Sequence, residues 1–162
     1  MSKNGELTID KWIYQLDGNQ ILGSARILNL DNPEFNINLE ANNFYVKPNQ
    51  HFFRFFDADM DGSTNFKIVG SGNLNDLQEA KYAGEIELKK FKIRPENFLS
   101  SLEVDASLEF QENRLDILSA NIDSDQNELS FSGKYQRGNS PRLDLKLTGK
   151  RLDIGGIFPE PK

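Results

Sequence analysis

Asp57, Asp59 and Asp61, followed by Gly62, carry the clearest hint of chemistry in this chain. Three carboxylates at alternate positions before a glycine are what the first half of a calcium loop offers a hard cation. The second half is missing. Thr64 stands where a branched apolar residue belongs, and Ile68 stands where a bidentate Glu is needed. Phe56, Ala58 and Met60 alternate with the acids, so a strand with one wet face explains the same residues. His51 is the sole histidine, which excludes a two-histidine metal site, and no Gly-x-Ser-x-Gly elbow suggests a nucleophile. The carboxylate pairs Glu85/Glu87 and Asp123/Asp125 are spaced for a wet strand face or a turn rather than for flanking a glycosidic bond. Gly70-Ser71-Gly72 lacks the helix that a phosphate loop requires. The densest aromatic patch is Phe52, Phe53, Phe55 and Phe56 with Phe44 and Tyr45 nearby; it reads as core ahead of a lipid or sugar platform. The expectation is no enzyme, no metal and no cofactor.

The elements that hold these residues are strands. Phe35, Ile37, Leu39 and Ala41 alternate with Asn36, Asn38 and Glu40, and Leu143, Leu145 and Leu147 alternate with Asp144, Lys146 and Thr148. Period two over many short runs predicts antiparallel strands with one dry and one wet face. Turn chemistry separates the runs at Asp17-Gly18-Asn19, Asp31-Asn32-Pro33, Gln111-Glu112-Asn113, 123–127 and 137–141. Pro95 and the apolar spacing of Phe98, Leu99 and Leu102 predict one short helix near 95–102, and 75–79 reads as a loop.

A phrase recurs three times: a strand containing Gly, an alternating return strand, and a short third strand. The copies begin at Ile21, Phe66 and Leu129, and their third strands are 44–46, 91–93 and 152–154. Such a repeat makes a long one-faced sheet, a scaffold or groove rather than a catalytic pocket. The predicted fold class is all-β, a long antiparallel sheet curled into a taco-like groove or an open β-sandwich, in a single domain over 1–162.

Bulk properties narrow the partners. A net charge of −6, with acids spread along the strands, argues against nucleic acid. With no cysteine there are no disulfides and no thiolate sites. No apolar run approaches the ~20 residues that span a bilayer.

Two stretches carry a family resemblance. Residues 36–46 (NINLEANNFYV) followed by 58–74 (ADMDGSTNFKIVGSGNL), and residues 129–158 (LSFSGKYQRGNSPRLDLKLTGKRLDIGGIF), resemble the phrases of the AsmA/TamB superfamily of bacterial envelope proteins. They cover about half of the chain, and 92–127 departs from the pattern. The resemblance implies an open β-groove with an apolar interior, of the bridge-like lipid transfer type. It implies a periplasmic protein anchored to the inner membrane, linked to phospholipid transport and outer-membrane assembly. On that reading the chain is a segment of a longer protein. The family has no catalytic residues to carry over.

A groove would be lined by the dry residues of the alternating runs. The candidates are Phe35, Ile37, Leu39, Phe66, Ile68, Ile86 and Leu88, together with Leu108, Phe110, Leu115, Ile117, Phe131, Leu143, Leu145 and Leu147. Phospholipid acyl chains are the expected partner, with outer-membrane assembly proteins and self-association through open sheet edges as further expectations. The alternative is a closed β-sandwich whose core these residues fill, acting as a binding or adhesion module, for instance for carbohydrate.

Overall fold

The computed structural model describes residues 5–47, 58–95, 101–124 and 127–151. Within them nine strands run in chain order through one antiparallel sheet. The strands are β1 (Glu6–Leu16), β2 (Asn19–Leu28), β3 (Glu34–Val46), β4 (Ala58–Asn73), β5 (Asp76–Pro95), β6 (Leu102–Gln111), β7 (Arg114–Ser124), β8 (Asn127–Gln136) and β9 (Arg142–Arg151). Each strand pairs only with its neighbours in sequence, so β1 and β9 are the edges of the sheet among the described residues. The long antiparallel sheet is as predicted. The closed sandwich is not: the described residues form one layer and supply no second sheet.

Local chemistry sets the reversals. Asp17 and Gly18 both take positive φ, 49° and 83°, which is what a two-residue turn matched to strand twist demands. Glu112 does the same at φ 47° between β6 and β7. The loop expected at 75–79 is shorter than predicted, because β5 already begins at Asp76. The helix expected near 95–102 falls mostly on 96–100, outside the described residues. Its flanks are strand, with Pro95 ending β5 and Leu102 opening β6, and no helix occurs among the described residues.

The short third strands of the repeat are corrected. Residues 44–46 and 91–93 are not separate strands but the far ends of β3 and β5, reached through a β-bulge. Residues 152–154 lie outside the described residues. One extra residue is accommodated at Asp10-Lys11 in β1, Asn42-Asn43 in β3, Lys89-Lys90 in β5 and Leu118-Ser119 in β7, and at Lys150 in β9. Every odd-numbered strand thus carries a bulge, and each even strand with the odd strand after it forms one unit. There are four such units, β2–β3 to β8–β9. The β6–β7 unit fills the stretch where the phrase had seemed to lapse.

A bulge preserves sidedness. Because successive residues of a strand point to opposite faces, Ala41 and Phe44 could not share a face without an extra residue between them. With the bulge, Ala41 stands opposite Phe66 and Phe44 opposite Thr64, and the apolar series continues unbroken.

Candidate functional site

Cross-strand partners share a face, so the register defines two surfaces. One is apolar across all nine strands. Leu39, Ile68 and Gly84 lie in one row; Ala41, Phe66, Ile86, Leu108 and Ile117 lie in the next. Phe131 continues the surface to Leu147, and Gly133 continues it to Leu145. All fifteen candidate lining residues stand on this face. So do residues the alternating runs did not single out, including Ile9, Trp12, Ile21, Phe44, Val46, Phe91, Val104 and Ile122. The signal that finds them is a polar pair interrupting an apolar alternation, as at Asp10-Lys11 and Asn42-Asn43, which marks a bulge rather than a strand end.

No charged residue occupies this face among the described regular strand positions; its polar groups there are Thr64, the hydroxyls of Tyr14, Tyr82 and Tyr135, and, at strand ends, Asn19, Ser124 and Asn127. Burial varies along it. Ala41, Phe44, Val46, Phe91, Val104, Ala106 and Ala120 form a buried cluster in β3 and β5–β7, with Val46 only 1% exposed. Phe44 and Phe66 set their rings 6.0 Å apart at 55° within it. Toward the edges the face opens: Leu143 and Leu147 are 63% and 61% exposed, and Leu7, Ile9 and Tyr14 are near half. Several glycines sit on this face beneath large neighbours. The Trp12 ring occupies the space a Cβ on Gly23 would need, and a Cβ on Gly84 would fall 2.9 Å from Phe110 Cζ. An aromatic ring folded over a strand glycine keeps the layer covered where no side chain rises.

The opposite face is polar. Asp59 and Asp61 alternate onto it from β4, and Asp57 lies outside the described residues. Asp61 accepts a hydrogen bond from the Tyr45 hydroxyl, and that bond is the main reason the phenol's pKa is raised. The presumed aromatic patch is therefore divided: Phe44 is buried on the apolar face, Tyr45 lies on the polar one, and Phe52–Phe56 and His51 lie outside the described residues. Glu85 and Glu87 also lie on this face. Glu87 is held low, first by Lys89 and then by Asn65 Nδ2, which donates to its Oε2 at 2.6 Å. Asp123 is exposed at the end of β7, and Asp125 lies outside the described residues. No group of three or more acids or histidines is placed to hold a metal ion among the described residues.

The largest hollow described, about 860 Å³, is a broad depression on this polar side. It mixes Lys89, Lys90 and Lys92 with Asp61, Glu87, Glu103 and Asp105, so it favours neither sign of ligand. Asp116 is the one described carboxylate buried on this face. Its Oδ2 meets Arg114 Nε at 2.6 Å, while Oδ1 has no partner. Among the described residues the geometry gathers no nucleophile with a base, and what it extends over the whole sheet is apolar surface. No family model, curated protein or solved structure matches the chain.

Proposed function

We propose that this chain is a length of lipid-handling sheet of the AsmA/TamB type, whose apolar face takes up phospholipid acyl chains for movement between the inner and outer membranes or in support of outer-membrane assembly. The observation that carries the proposal is an uncharged apolar face kept in register across nine strands by a bulge in every odd one. A single layer has no second sheet to cover that face. Acyl chains can cover it at ~0.8 kcal/mol per buried methylene. An uncharged lining makes no fixed polar contact, so a chain can slide along it. Periplasmic location, inner-membrane anchoring and the envelope role rest on the sequence resemblance.

Native mass spectrometry of the chain purified from a bacterial host tests the reading. The expected result is co-purified phospholipid, lost when Ile9→Asp and Leu145→Asp place charge at opposite edges of the apolar face. Both positions are about half exposed, so neither variant buries its new carboxylate fully. A lipid-free mass together with no uptake of a fluorescent fatty acid sinks the proposal.

A further inference from the structure

The β9 edge carries a self-complementary sequence. From Arg142 to Thr148 the strand reads Arg-Leu-Asp-Leu-Lys-Leu-Thr, with Leu143, Leu145 and Leu147 on the apolar face and Arg142, Asp144, Lys146 and Thr148 on the polar one. All seven residues are exposed, and among the described residues no strand lies beside their outer backbone groups. Long, exposed, apolar edges of this kind template pairing with another strand.

We infer that β9 pairs antiparallel with β9 of a second copy about a twofold axis through Leu145. Continuity of the two faces requires the axis to pass through a residue, because a one-residue slip would set apolar side chains against polar ones. Overlap and charge then select which residue: an axis at Leu143 also opposes Arg142 to Asp144 twice, but it pairs only 142–144 of the two strands. An axis at Asp144 opposes Asp144 to itself. One at Lys146 opposes Lys146 to itself and Arg142 to Lys150. An axis at Leu147 leaves Lys146 facing Thr148 and draws Asp144 toward Lys150, which is already bonded to Glu128. An axis at Leu145 opposes Asp144 to the other copy's Lys146 twice, Arg142 to Thr148 twice, and Leu143 to Leu147 twice. Neither Asp144 nor Lys146 has an ion-pair partner within its own chain among the described residues.

The other edge is less suited. Its run is broken at Asp10-Lys11 by a bulge, whereas 142–149 pairs with β8 without interruption. An isologous β9 contact closes on itself as a dimer. It would join two nine-stranded sheets into one of eighteen with a continuous apolar face.

Sedimentation equilibrium over a concentration series tests this. The intact chain is expected to show a monomer–dimer equilibrium. Asp144→Lys and Lys146→Asp are each expected to weaken it by roughly thirtyfold, as two attractive cross-strand pairs become repulsive. The double variant Asp144→Lys/Lys146→Asp is expected to restore it. A monomer at all concentrations, ladders of higher oligomers, indifference to the single substitutions, or failure of the double variant to recover while its urea midpoint is unchanged would each overturn the assignment. Both residues lie on the polar face, so lipid uptake is expected to be the same in all four proteins and is read separately.

Discussion

At the scale of single residues, the acid that first suggested a calcium loop has a different partner. Asp61 accepts from the Tyr45 hydroxyl across the β3–β4 pair, and this bond raises the phenol's pKa above its ordinary value. The sign follows from which form is held: the neutral phenol donates, so its contribution is complete below the ordinary tyrosine range and is lost as pH rises through the raised value. The chain has four tyrosines. Ultraviolet titration of the phenolates is expected to show a step above the ordinary tyrosine range that disappears in Tyr45→Phe and moves to lower pH in Asp61→Asn. An unaltered profile in Asp61→Asn would remove the bond from the account. Glu6 and Glu87 run the other way. Arg26 holds the first low and Lys89 the second, so their contributions stand above the ordinary carboxylate range and fade as pH falls through the lowered values. All of these groups are exposed, so salt screens their effects.

At the scale of the strand, the bulges keep the apolar face whole, and two of them share a fastening. Asn43 and Lys90 adopt left-handed φ of 53° and 46°. In each case a side chain from the next strand receives the bulge N–H: Asn65 Oδ1 from Asn43 at 2.7 Å, and Asp105 Oδ1 from Lys90 at 3.0 Å. Asn19 ties the end of β3 further, its Nδ2 donating to Tyr45 O at 2.7 Å and its Oδ1 accepting from Tyr45 N at 2.6 Å. Asp105→Ala is expected to cost about 1 kcal/mol by freeing the exposed Lys90 amide. Lys90→Gly is expected to hold or raise stability by up to about 1 kcal/mol, since glycine takes positive φ without steric cost. Urea midpoints of the two variants check both signs, and a loss in Lys90→Gly equal to that in Asp105→Ala would refute the left-handed strain. The same bulges explain what the sequence made legible. Alternation such as Phe35–Ala41 or Leu143–Leu147 placed each candidate lining residue on one face. It could not carry past Asn42-Asn43 or Lys89-Lys90, where parity reverses, so one strand read as two. In β7 the bulge contains Leu118, an apolar residue on the wrong parity, so alternation does not reveal the β6–β7 unit. Asp61 misled because a carboxylate on a wet strand face and one in a cation loop share the same local spacing, and only the partner strand tells them apart.

At the scale of the whole molecule, the sheet behaves as a one-dimensional stack. Nearly all of each strand's contacts are with its sequence neighbours, so stability at any point is set chiefly by the strands on either side. β4 and β5 are the longest strands, of 16 and 20 residues, and share the longest register. The buried cluster spans β3 and β5–β7, flanking and including this pair, while β1 and β9 each have one neighbour and half-exposed apolar side chains. Local opening should then proceed inward from the edges, since few buried contacts and exposed backbone bonds mark the least stable regions. Amide hydrogen exchange on dilute, lipid-free protein is expected to be slowest at Phe44, Phe91, Val104 and Ala106 and fastest along β9 and β1. Raising the protein concentration should slow exchange in β9 alone if that edge pairs with itself, whereas loading phospholipid should slow it on the apolar face from edge to edge. Uniform protection from β1 to β9 in the dilute sample would mean that the sheet opens as one cooperative unit, and the nearest-neighbour description would have to be abandoned.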